Sequence, residues 1–263
     1  MSTTTSPPLS NRRRASRGWI ALLGELLITA GVLLGLYVVW QLFYTDIQSA
    51  RTQHAALEQL HFPETIQPPV VASASDGDVA SDPNLIPEEL KVYSPEGAPV
   101  LAEPAAPETF AALWVPRWGD GYIKPISEGT ERRITLDALG IGHYTGTAMP
   151  GGVGNFAIAG HRTTYGKPFS DIDALQAGDA LVVQTDAAWY VYRVTSSEIV
   201  LPFQVEVIAP VPGKPGTPAT VASITLTSCH PRFSAAKRFI VHGELEYWAP
   251  SGHGYPQEVV TQP

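Results

Sequence analysis

Residues 223–245, SITLTSCHPRFSAAKRFIVHGEL, contain two β-branched runs joined by a short polar loop, and the single cysteine of a 263-residue chain. In SITLTSC the two-residue period of a strand sets Thr225, Thr227 and Cys229 on one face and Ile224, Leu226 and Ser228 on the other. Cys229 therefore ends a strand, where a side chain can meet solvent and substrate. Past the loop HPRFSAAK, Arg238 opens the next run, and a tight β-loop-β connection brings its guanidinium back towards the thiol. A lone cysteine forms no intramolecular disulfide, so Cys229 is either packing or a reactive group.

The same pattern of short β-rich runs recurs upstream and downstream: FAALWVP (110–116), GYIKPI (121–126), NFAIAGH (155–161), DALVVQT (179–185), WYVYRVTSSEIV (189–200) and RFIVHGELEYW (238–248). Separated by Gly, Pro and Asp, they predict a mainly β barrel or sandwich. Helical signals are few. SEGTERRITLDALG (127–140) is ambiguous because of its Ile-Thr, and KPFSDIDAL (167–175) reads as a short helix with Asp171 and Asp173 near its start.

The amino-terminal part follows a different rule. LLITAGVLLGLYVVWQLF (26–43) carries no charge, and at 1.5 Å per residue it extends about 27 Å, near the thickness of a bilayer core. The alternative is a cleaved signal peptide, but the run exceeds the usual apolar region of about 7–15 residues and no small-x-small site follows it. Arg12, Arg13, Arg14 and Arg17 precede it, which predicts a cytoplasmic amino terminus and an extracytoplasmic remainder. There, a single unpaired cysteine points to reactivity, because stable thiols are usually oxidised in pairs. The net charge of -8 argues against nucleic acid as a partner.

The expected organisation is a basic tail (1–17), a membrane anchor (18–45), a helical stalk and Pro/Ala-rich linker (46–107), a barrel (108–249) and a polar tail (250–263). The linker reading rests on FPETIQPPVVASASDGDVASDPNLIPEEL and SPEGAPVLAEPAAPE, whose composition offers little apolar surface to offset ordering. On that reading a chain starting near Pro107 keeps the whole barrel.

A cysteine nucleophile needs a proton-handling group and donors for the oxyanion, for which arginine is well suited. Of the seven histidines, His54 and His61 fall in the stalk and His253 in the tail; His242 reads as a packing or surface residue. His230 follows Cys229 directly and faces the other way. His143 and His161 remain, and His161 ends an apolar strand at Gly-His-Arg, where catalytic groups are often displayed.

AIAGHR, then TLTSC, then Arg238 resemble the signature of the sortases, membrane-anchored cysteine transpeptidases of Gram-positive bacteria. GHYTGTAMPG (142–151) and the run after Cys229 are most similar to the class E members of actinobacteria. The resemblance implies an eight-stranded barrel with few short helices behind one transmembrane helix. It implies Cys229 as nucleophile, His161 as acid/base and Arg238 at the oxyanion, with Tyr144, Thr225 and Ser228 as substrate contacts. Ser228 stands where the signature usually has Thr, which retains a hydroxyl.

The implied reaction cleaves an LPXTG- or LAXTG-type sorting signal between Thr and Gly through a thioester and passes the secreted protein to a peptidoglycan-precursor amine. A pilin-polymerising sortase would use a pilin lysine instead, but Asp82-Pro83 is followed by Asn84 where a lid of that class has an aromatic residue. A hydrolytic cysteine peptidase or an L,D-transpeptidase would use Cys and His as well, although the second keeps the two within one short motif. A non-enzymatic tethered β-domain would leave the thiol unused. No cofactor is expected, and the scattered histidines give no zinc-ligand spacing.

Overall fold

The computed structural model describes residues 12–62, 84–119 and 121–260. The chain divides into two units, 1–45 and 46–263. Helix α1 (Arg12–Glu58) supplies the described residues of the first, and its apolar stretch is unburied, with mean hydropathy 2.2. By length and composition that stretch can cross a membrane. The first eleven residues and the Asp82-Pro83 pair lie outside the described residues.

The second unit is built on eight strands: β1 (Thr109–Trp114), β2 (Ile123–Glu128), β3 (Ile141–His143), β4 (Gly154–Gly160), β5 (Ala180–Gln184), β6 (Ala188–Val200), β7 (Ala222–His230) and β8 (Lys237–Pro250). They close into a barrel in the order β1-β2-β3-β4-β7-β8-β6-β5. Closure leaves no free sheet edge. Alternation fills the interior: Phe156, Ile158, Tyr190, Tyr192, Ile224 and Leu226 belong to one buried cluster. Two neighbouring pairs, β2–β3 and β4–β7, are parallel. β4 and β7 thus run in the same direction and end side by side, and that end carries the site.

The expected helices are smaller than the sequence suggests. Within 127–140 only Arg132–Leu136 coils, as a wide π turn whose Asp137 N–H reaches the Arg132 carbonyl at 2.7 Å. Glu131 accepts from the Ile134 amide and so caps it. In 167–175 there is a single turn, Ile172–Ala174. Asp171 makes no cap bond; Asp171 and Asp173 instead pair with Arg232 and Arg162, at 2.9 and 2.5 Å.

The linker reading needs correction over 84–107. Ile86 is buried, Val92 exchanges backbone bonds with Trp248, and the Pro99 carbonyl accepts from the Tyr190 hydroxyl at 2.5 Å. A few spaced apolar anchors suffice because a proline-rich strap has little conformational entropy to lose. The polar tail docks too: Tyr255 is buried, and in helix α2 (Gln257–Val260) Glu258 binds Arg193 and Tyr247.

Candidate active site

Cys229 and Arg238 are direct partners across the β7–β8 hairpin, a position in which side chains stand on one face about 5 Å apart at Cβ. On the other side β4 pairs with β7 in parallel as far as Ala159↔Thr227. Carried two residues further, that register puts His161 beside Cys229, and the Ser228 hydroxyl donating to the Gly160 carbonyl at 2.8 Å fastens the two strands there. Histidine, thiol and guanidinium therefore form one row at this end of the barrel, with His161 one residue past β4 and the other two on β7 and β8. The row opens into a cleft of about 620 Å³ that also includes Tyr144, Thr227, Phe233 and Arg132.

Each member has a distinct setting. Cys229 is half-buried and unpaired. His161 Nε2 donates to Asp137 Oδ1 at 2.7 Å, and the Tyr165 ring lies 5.2 Å from the imidazole. With Nε2 occupied, Nδ1 is the nitrogen left for proton transfer. Arg238 donates only through Nη1, to the carbonyls of Ala235 and Lys237 at 3.1 and 3.0 Å. Among the described residues it has no carboxylate partner, so most of its donor fork remains open.

A sortase-domain family model matches residues 113–246. Two curated relatives from Streptomyces coelicolor are sortase SrtE1, 34% identical over 91% of this chain and 60% of its own length, and sortase SrtE2, 32% identical over 86% and 81%. The SrtA sortase structure from Actinomyces oris is 45% identical with a TM-score of 0.60, over 65% of this chain and 97% of that one. The chain belongs to the sortase family. It is class E-like, and it spans about 60% of the length of SrtE1.

Within this sortase chain the other histidines are otherwise engaged. His143 is fully buried, with Nδ1 2.6 Å from Glu128 and Nε2 2.8 Å from Thr147. Glu103, Glu128 and His143 bring three possible metal-ligating atoms within 4.8 Å of one another, but Glu128 is already bonded to His143 and Thr145. His230 Nδ1 accepts from Arg162 at 3.0 Å. Arg162, buried beside His161, is neutralised by Asp173 at 2.5 Å.

The expected substrate contacts divide. Tyr144 and Ser228 line the cleft, and the Tyr144 hydroxyl shares a 3.0 Å hydrogen bond with Thr227. Thr225 does not join them: it is fully buried and bonded to Asn155 and His242 at 2.7 and 2.9 Å. It does share a strand face with Cys229, but that face is covered where the 201–221 connection crosses it, with the carbonyls of Val207 and Ala209 accepting from Asn155. Asp137 has no counterpart among the sequence expectations. Nothing in TLDALG marks it, because its partner is brought close only by the fold.

Proposed function

We propose that this sortase is a membrane-anchored cysteine transpeptidase that cuts a sorting signal of the LPXTG or LAXTG kind between Thr and Gly and transfers the acyl part to a cell-wall amine. The observation that carries the reading is that His161, one residue past the end of β4, lines one cleft with the paired Cys229 and Arg238 of β7 and β8. The Cys229 thiolate attacks the Thr carbonyl carbon, and the open donors of Arg238 receive the oxyanion. The tetrahedral adduct collapses to a thioester as the Gly nitrogen leaves with a proton from His161. Asp137 holds the ring by Nε2, so that Nδ1 faces the reacting atoms. An incoming amine then gives up a proton to His161, attacks the thioester and releases the thiolate. Tyr144 and Ser228 contact the signal peptide from the cleft wall, and α1 holds the enzyme at the outer face of the membrane.

The test is to incubate the protein with peptides bearing Pro or Ala at the second position, with and without an amine. A peptide-thioester mass on the parent, its absence in Cys229→Ala, and amine-dependent product are expected. Hydrolysis with no amine adduct would instead make the chain a peptidase, and no thioester with any peptide would end the reading.

A further inference from the structure

The last turns of α1 lie in the second unit and present one face to the two loops that flank His161. Asp46, Ser49, Gln53 and Ala56–Leu57 recur at helical spacing, and Ser49, Gln53, Ala56 and Leu57 are all nine-tenths buried or more. The Ser49 hydroxyl donates to the backbone carbonyl of Asp137 at 2.8 Å. Gln53 donates from Nε2 to the Tyr165 carbonyl and accepts from Lys124, both at 3.1 Å. Asp46 accepts from the Gly166 amide at 3.1 Å.

Gln53 fits a notch made by two glycines. A Cβ on Gly140 would come within 2.8 Å of its side chain, and one on Gly166 within 2.7 Å. Gly140 lies three residues after Asp137, which binds His161 Nε2; Gly166 follows Tyr165, whose ring lies against the His161 ring. Both supports of the imidazole are thus tied to one helix face. A spacer needs no buried amide bonded at both its nitrogen and its oxygen, since such a group costs free energy wherever its partners are lost.

We propose that residues 46–57 are a positioning element of the active site, in which Ser49 and Gln53 set the Asp137 and Tyr165 loops and thereby the orientation and tautomer of His161. This rests on His161 being the acid/base of the proposed transpeptidation. Displacement of a reacting group by about 1 Å can cost as much as ~10² in rate.

The experiment uses the full chain in detergent micelles and compares Ser49→Ala, Gln53→Met and the conservative Ser49→Thr, with His54→Ala as an exposed control on the same helix. Turnover of a sorting-signal peptide with an amine gives kcat, KM and the pH profile, and ¹⁵N shifts of the His161 ring report its tautomer whether or not the peptide is turned over. Ser49→Ala and Gln53→Met should each lower kcat about tenfold with KM near parental, displace the pH profile and mix the Nε2–H tautomer with the other. Ser49→Thr and His54→Ala should match the parent. Parental ring shifts and parental kcat in both test variants would overturn the proposal. If Gln53→Met melts early, Ser49→Ala decides alone, since it removes one hydrogen bond. A parent that turns over no peptide condemns the functional reading; the ring shifts still decide the positioning.

Discussion

Lys237 and Arg238 are neighbours in sequence and opposite in orientation: β8 pairs Lys237 with His230 and Arg238 with Cys229. Arg232, the third cation of that hairpin, is turned away to the Ser170 carbonyl and Asp171. Loss of one oxyanion donor typically costs about 3–4 kcal/mol. Arg238→Ala and Arg238→Lys should therefore both lose at least ~10² in transpeptidation, lysine keeping the charge without the fork. Lys237→Ala and Arg232→Ala should stay near the parent. Parental turnover by Arg238→Lys would reduce its role to charge alone, and a dead Arg232→Ala would move the role to the other arginine. A second residue-scale effect concerns stability. His242 is buried among Thr225, Asn155 and Glu198, and burial lowers its pKa, with the Glu198 contact opposing. The unfolded chain then binds the proton more readily, so this contribution is complete above the ordinary value near 6.5 and is lost as pH falls from there towards the lowered one. Replacing His242 by Gln should flatten the fall of melting temperature between about pH 7 and 5; an unchanged slope would show that another group dominates.

Among the elements, the strap 84–107 and the stalk act on the barrel through contacts that composition conceals. Ile86 joins Trp114, Trp189 and Tyr247 in a buried cluster outside the barrel lumen. Truncating such a side chain costs about 2–4 kcal/mol, so Ile86→Ala should melt measurably below the parent. A chain starting at 108, which loses the strap and the stalk together, should melt lower still than one starting at 46. Equal melting of the two would mean that the strap only rests on the barrel. The strands are legible where alternation runs for five or more residues, as in SITLTSC and WYVYRVTSSEIV. β3, with three residues, gives no period to read, and the parallel registers β2–β3 and β4–β7 leave no local mark. Cys229 and Arg238 are legible together because one hairpin carries both. Thr225 has the parity its spacing predicts, but the outer face of β7 is solvent only near Cys229. The docking of Ser49 and Gln53 is hidden because a polar helix face reads as one turned to water.

For the whole molecule, the proposed chemistry requires one direction of insertion, and the sequence predicts the same one. Arg12, Arg13, Arg14 and Arg17 favour the cytoplasmic side. On the proposed topology the barrel would be outside, together with the single thiol of the chain. A membrane-impermeant maleimide added to intact cells should label Cys229, with labelling lost in Cys229→Ser; labelling that requires permeabilised cells would invert the topology.

The β7–β8 hairpin sets Cys229 and Arg238, the proposed nucleophile and anion holder, on either side of a single turn, 231–236, because the two are paired by the ladder and not by the loop. That turn also brings Phe233, 82% exposed, to the cleft rim. The turn is therefore both rim and brace: substitution at Phe233 would reshape the mouth of the cleft, whereas the Ala235 carbonyl also holds the Arg238 guanidinium.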